Sequence, residues 1–486
     1  MKKYLALVLG VIFTLGFAAS AFAIHAEIPA ETQAIVAKGT TQVTLGGEIR
    51  LRGELTNNTD LDKASGVSEN ADTKSYYDGR VRLRIQADVS KNTMGVIHLE
   101  TGDSSGSASN AKDTYVWAAQ TGEGVGTYTS GNAKKGSMEV LEAWIQHKFN
   151  MGVPAGIKAG HMPLKLGEGL FFDHSKFGDD AIMLFVNPTK ELHIALLTAK
   201  FTEGTDIMAD DADAYIALMT YTTKTTSLGI DLTYIDDSRN YISSAGALTA
   251  NAANNKGLHL YNVGLRAATA FGGFGIKGDV EFNGGSSESE ANFTGLSDKE
   301  IKNNGHAYLV GVSYKLNPVK LSLDYAMGSG DSSSTDNKNN GFANALSNVQ
   351  KYTYVYDYRA KTAQGSTNTG LTNTRYIKLG ANGDITKDLN IDANLYLLSA
   401  VKKKSITVGT TASTTTDLGS TASTKGDSKK IGRELDAKIT YKLDKNLVYF
   451  VEGGYLFAGD FFKNITASAK DPDDAYAVRH GITLSF

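Results

Sequence analysis

The chain has 486 residues, among them 51 glycines, 23 tyrosines, six prolines and no cysteine, and a formal net charge of −3. The lack of cysteine excludes a disulfide scaffold and a covalently attached c-type haem, which needs Cys-x-x-Cys-His. A mildly acidic balance with no long basic run excludes nucleic acid as a partner.

The chain opens on an export signal. Lys2 and Lys3 form a basic start, Tyr4 to Ala18 an apolar core, and Ala21-Phe22-Ala23 a small-x-small cleavage site. The mature protein is expected to begin at Ile24. Removing residues 1–23 takes away two lysines and no acid, so −3 becomes −5. Residues 24–40 read as a short periplasmic segment and 41–486 as one domain, because no linker or shift in composition divides them. No later apolar run approaches the roughly 20 residues of a spanning helix.

From Gln42 the pattern is that of a strand. Val43, Leu45, Gly47, Ile49, Leu51, Gly53 and Leu55 alternate with Gln42, Thr44, Gly46, Glu48, Arg50, Arg52 and Glu54. Successive side chains of a strand point to opposite faces, so one face is apolar and the other charged. Taken alone, the segment also suits an exposed strand of a soluble sheet. The alternation returns, however, at 78–90, 94–103, 138–149, 155–166, 179–187, 190–200, 212–223, 226–236, 257–269, 273–284, 305–316, 319–330, 374–384, 389–400, 432–443, 446–458 and 474–486.

The connections sort by length. Short ones such as 91–93, 187–189, 317–318, 386–388 and 444–445 alternate with long ones such as 104–137, 331–373 and 401–431. Tight turns at one end and long loops at the other describe an all-β, transmembrane, antiparallel up-and-down barrel of 18 strands, with periplasmic turns and extracellular loops. In lipid every backbone polar group must be paired within the sheet, which only a closed barrel achieves. Tyr76, Tyr77, Phe149, Tyr234, Tyr314, Tyr325, Tyr441, Tyr449 and Tyr455 fall near strand ends, where interfacial girdles belong. The last strand ends on Phe486, like the signal that such barrels present to their assembly machinery.

If apolar faces meet lipid, Arg50, Arg52, Arg80, Arg82 and Arg84 project inward, since an outward arginine at the bilayer midplane costs about 2–4 kcal/mol. Glu48, Glu54, Glu142, Lys158 and Arg479 are expected to share that lining. An arginine ladder facing carboxylates selects among charged solutes. The alternative is that Glu48, Glu54 and Asp88 neutralise the arginines in place, leaving them as wall structure.

Catalytic signatures are absent from the motifs. The nine histidines sit in no zinc spacing and beside no nucleophile elbow. Asp60 with Asp62, and Asp471 with Asp473 and Asp474, match no calcium loop and read as solvated acids. No cofactor or metal is expected. The stretch around 410–416 is rich in threonine and reads as surface loop.

The mature sequence resembles Gram-negative outer-membrane porins over nearly its whole length. Glu142-Ala143-Trp144-Ile145, Ile157-Lys158-Ala159-Gly160, Gly167 and Phe177-Gly178-Asp179-Asp180-Ala181 resemble the central hairpin of the alginate-export type of porin. That family has Arg-Gln after the glycine where this chain has His161-Met162. The resemblance implies an 18-stranded barrel, with 167–178 as the expected constricting loop. The function expected is a channel for small hydrophilic, anionic solutes. The alternatives are polysaccharide export or a sheath around a partner such as an electron-carrying cytochrome. Outer-membrane lipid is the expected surrounding, and the sequence leaves the oligomeric state open.

Overall fold

The computed structural model describes residues 34–38, 41–61, 72–102, 115–116, 137–203, 211–238, 257–289, 299–331, 338–345, 352–360, 362–363, 369–403, 428–463 and 471–486. The expected export signal and the stretch 410–416 lie outside the described residues.

Eighteen strands follow one another around the wall. They are β1 (Thr41–Asn57), β2 (Thr73–Asp88), β3 (Thr93–Gly102), β4 (Ser137–Asn150), β5 (Pro154–Met162) and β6 (Asp179–Val186). Next come β7 (Leu192–Thr202), β8 (Ala212–Thr222), β9 (Thr226–Asp237), β10 (Leu258–Phe271), β11 (Phe274–Ser289) and β12 (His306–Leu316). The last are β13 (Val319–Gly328), β14 (Thr374–Asp384), β15 (Leu389–Ala400), β16 (Lys430–Asp444), β17 (Leu447–Ala458) and β18 (Ala475–Ser485). Each pairs antiparallel with its chain neighbours, and β1 pairs with β18 from Glu48↔Ser485 to Asn57↔Tyr476. That pairing closes the sheet and removes its edges, as a lipid environment demands.

The side-chain alternation follows the expected sense. On β9, Leu228 and Leu232 are half exposed on the outer face, while Asp231 and Thr233, of the opposite parity, are buried inside. The start of β2 differs from expectation: the strand begins at Thr73, so residues assigned to a loop belong to the wall. Tyr76 is a second correction. It stands opposite Glu54 on the inner face, out of the girdle, whereas Tyr77 faces outward and meets His480 edge-on.

Residues 34–38 form a short strand along β1, from Ala34↔Leu45 to Lys38↔Thr41, below the point where β18 ends. Phe486 marks that point. Its backbone exchanges hydrogen bonds of 2.7 and 3.0 Å with Gly47. Its ring occupies the place of a Gly47 side chain, since a Cβ there would lie 2.5 Å from it. Only glycine lets the terminal ring lie flat on β1.

The buried apolar cluster runs from β3 to β18 and includes both loop and wall residues. On β6 to β8 the alternation breaks, and the inward residues Ala181, Met183, Ala195, Leu197, Ala199, Ala214 and Ile216 are buried and apolar. The connection 163–178 covers them with Leu166, Leu170, Phe171 and Phe172. Burying a side chain of this size stabilises by roughly 1.5–3 kcal/mol, which explains why this loop is inside the barrel.

Candidate functional site

The register of β1 on β2 assembles the arginines. Arg50 lies opposite Arg80, Glu48 opposite Arg82, and Arg52 opposite Asp78, all on the inner face. The guanidinium groups are held by carboxylates. Arg52 Nε donates to Asp78 at 2.7 Å, Arg80 Nη2 to Glu48 at 2.6 Å, and Arg82 to Glu100 on β3 at 2.9 Å. Arg84 donates to Gln86 at 3.1 Å and lies 4.0 Å from Glu142. Arg479 on β18 reaches Glu452 and, at 3.7 Å, Glu54.

Of the carboxylates expected to neutralise this cluster, Glu48 holds Arg80 in a close ion pair. Glu54 pairs with Arg359 at 3.0 Å, and Asp88 accepts from Gln86 at 3.2 Å. Asp78 and Glu100 take the expected role. Asp78 was legible as an inward residue, because it shares the parity of Arg80 and Arg82.

The pairs differ in which partner is the more exposed: in Arg80–Glu48 it is the acid, at 16% against 9%, and in two others it is the cation. The side chains of Arg82 and Arg84 are 17% and 21% exposed, and their partners Glu100 and Glu142 only 5% and 1%. In these two pairs the guanidinium is the part that the interior can reach. Charge-assisted pairs of this kind fix a guanidinium in place.

Glu142 and Trp144, two residues apart on β4, share the inner face. Buried Glu142 accepts from the Trp144 indole at 2.8 Å and meets His98 Nδ1 at 2.9 Å. The Trp144 ring so held carries the Lys158 ammonium 3.9 Å from its centre, a cation–π contact. The family-like hairpin thus positions one lysine on the wall of the interior.

Two chain segments enter the barrel. The loop 163–178 starts at β5 and reaches β11, where the Glu168 N–H donates to Asp279 at 2.7 Å and its carboxylate pairs with Lys277 at 2.7 Å. It therefore runs along the inner face from β5 to β11. The second segment was missed by sequence reasoning. It is the turn 352–360 from the connection between β13 and β14.

The N–H groups of Val355 and Tyr356 donate to Glu434 on β16, and that of Tyr354 to Asp436 at 3.0 Å. Arg359 lies between the Tyr354 and Tyr358 rings, 3.9 and 4.0 Å from their centres. Burial pushes the Tyr356 hydroxyl well above the ordinary phenol range, and it meets Thr374 Oγ1 at 2.8 Å. The first segment also meets 338–345 of the same connection, where Ala345 N–H donates to Phe171 O at 2.8 Å. The signal that could have found the turn is Tyr352, Tyr354, Tyr356 and Tyr358, four rings at alternate positions of a supposedly solvated loop.

Among the described residues, no group of three or more His, Cys, Asp and Glu side chains is arranged to hold a metal ion. Asp474 accepts from Tyr455 Oη at 3.1 Å and from Ala458 N–H at 2.9 Å.

The family described as alginate export matches residues 41–472. No curated protein matches the sequence. Among solved structures, the barrel is similar to Pseudomonas aeruginosa OccK9 (OpdG), with a TM-score of 0.51, 12% identity, and 91% of this chain and 98% of that one covered. It is similar to Acinetobacter baumannii OccAB1 with a TM-score of 0.51, 11% identity, and 91% and 96% covered. At these identities the likeness shows the fold: a closed outer-membrane barrel of 18 strands.

Proposed function

The chain belongs to the alginate-export family, and we propose that it is a water-filled outer-membrane channel, not an enzyme, through which small hydrophilic anions diffuse passively. The observation that carries this reading is that at two of the ion pairs the cation is the exposed partner, Arg82 over Glu100 and Arg84 over Glu142. A solute in the interior meets guanidinium groups first. Such groups stay positive at any working pH and bind carboxylate or phosphate in a bidentate way. In a narrow passage they concentrate anions and hinder cations. Arg50, Arg52, Arg80, Glu48, Glu54, Lys158 and Arg479 complete the lining in this reading.

Single-channel recording with unequal salt on the two sides tests it. The reversal potential should show an anion preference that shrinks when Arg82 and Arg84 become glutamine. It should also shrink as salt rises, because the Debye length falls from about 10 Å at 0.1 M to about 3 Å at 1 M. An unmoved reversal potential with a lower melting point would leave the arginines as wall structure. Block of the current by uronate oligomers, with no permeation of small carboxylates, would favour polysaccharide passage instead.

The loop 163–178 and the turn 352–360, both fastened to the inner wall, weigh against the sheath reading. Phe486, seated on Gly47, is proposed to present the chain to the barrel-assembly machinery. Its deletion should leave export intact and reduce the heat-modifiable form in the outer membrane.

A further inference from the structure

The outer rim of the barrel is not uniform. On β5 to β10 one cross-strand row reads His161, Asp180, Lys200, Asp213, Asp236 and His259. Its lysine is neutralised locally, by Asp211 at 2.6 Å, Glu203 at 3.2 Å and Asp213 at 3.4 Å. The rim of β14 to β16 is different. Arg375 lies opposite Ser399, and Ser399 opposite Lys430. One step lower, Arg433 lies between Leu397 and Phe457.

All three cations are exposed. The neighbours Leu397, Phe457 and Ile377 are part of the exposed apolar band, so the cations stand at its upper edge. Arg375 Nε donates to Ser399 Oγ at 2.8 Å, and Arg433 lies 5.7 Å from the Phe457 ring centre. None of the three pairs with a described carboxylate.

We propose that this rim docks a phosphate-bearing lipid headgroup of the outer leaflet. Three cations at the top of a lipid-facing wall sit where headgroups lie, and exposed charge there has no other described neutralising group. Arg375 and Lys430 are two strands apart, roughly 10 Å at the usual spacing, which lets one phosphate group lie over Ser399 between them. Guanidinium groups take phosphate oxygens in pairs, and the Phe457 ring packs against the acyl chains below.

The full chain in neutral detergent is titrated with diphosphorylated lipid A, with its dephosphorylated form and with phosphatidylcholine, and bound lipid is read by native mass spectrometry. The phosphorylated lipid should bind about tenfold more tightly or better than the other two. The triple variant Arg375→Gln, Lys430→Gln, Arg433→Gln should lose that preference, and Lys200→Gln should keep it. Should the triple variant fail to fold, the wild-type preference must still shrink with salt. Equal binding of the three lipids, a salt-insensitive preference, or an equal loss in Lys200→Gln would overturn the proposal. So would displacement of the lipid by inorganic phosphate alone, which would make the rim a soluble-anion site. Channel selectivity rests on the inner face and should not change in the triple variant.

Discussion

The inner faces of β1 to β3 and of β6 to β8 belong to the same barrel and differ in kind. From outside the two regions are alike, with Ile49, Leu83 and Ile97 in one and Ile182, Leu184 and Leu196 in the other, all exposed to lipid. Inside, the first carries Arg50, Arg52, Arg80, Arg82 and Arg84, and the second Met183, Leu197 and Ala199, all buried. The difference lies in what covers them. The arginine wall faces the passage in the proposed reading, and the apolar wall is the seat of the loop 163–178. A strand wet on its inner face must alternate, whereas a strand covered on both faces reads as a nearly continuous apolar run. The inner wall therefore records where the barrel is open and where it is filled.

The largest effect should come from the apolar seat. Phe171 and Phe172 are fully buried, and truncating a buried phenylalanine costs about 3–5 kcal/mol. Phe171→Asp with Phe172→Asp adds the cost of burying charge, so the loop should leave the wall. Conductance should rise and the melting temperature fall, while the barrel still inserts. If conductance stays at the wild-type level, the loop is not what narrows the passage.

Next comes the polar anchor. Glu434 accepts from the N–H groups of Val355 and Tyr356, one on each carboxylate oxygen. Glu434→Gln replaces one acceptor by a donor that faces an N–H. Hydrogen bonds to charged groups contribute about 1.5–3 kcal/mol, so amide exchange at Val355 and Tyr356 should accelerate accordingly. Slow exchange in the variant would show that the ring packing of Tyr352 on Tyr376, 5.0 Å between centres, is what holds the turn.

The arginine wall should respond less in stability than the apolar seat, although Glu100 loses its Arg82 partner. Arg82→Gln with Arg84→Gln leaves Glu142 with His98 and Trp144, so the melting temperature should fall by less than in the phenylalanine variant while selectivity changes. A larger thermal loss here than in the apolar seat would reverse the contrast between the two walls.

Much of this was written in period two. All eighteen strands, the alternation of connections and the inward arginines follow from residue parity, because the pleat leaves no other choice once one face meets lipid. The entry of the loop 163–178 was legible in its position after the hairpin around Glu142 and Trp144. It was equally legible, though not used, in the doubly apolar run from Ala181 to Val186. The partners of the arginines were harder. Glu54 was expected to serve the cluster and is taken by Arg359, which lies 305 positions away along the chain. A contact of that separation depends on how a long connection folds back, and local pattern carries no information about it.

Arg359 gives the finest test of how the filled and open regions meet, since it joins the turn to the arginine wall. Its Nε donates to Glu54 at 3.0 Å and its Nη1 to the Tyr354 carbonyl at 2.6 Å. The guanidinium carbon lies 3.9 and 4.0 Å from the centres of the Tyr354 and Tyr358 rings. Arg359→Lys keeps the charge and loses the fork, so one ammonium must choose between carboxylate and carbonyl. It also loses planar stacking, which is worth about 0.5–2 kcal/mol for a cation on an aromatic face. Glu54 keeps Arg479 as a partner, so the wall itself should stand unchanged. The expected result is faster proteolysis and amide exchange confined to 353–360, with the melting temperature near that of the wild type. Arg359→Met, which removes the charge as well, should loosen the turn further. If lysine matches arginine in both measurements, charge alone fixes the turn, and the two tyrosines serve only as cover.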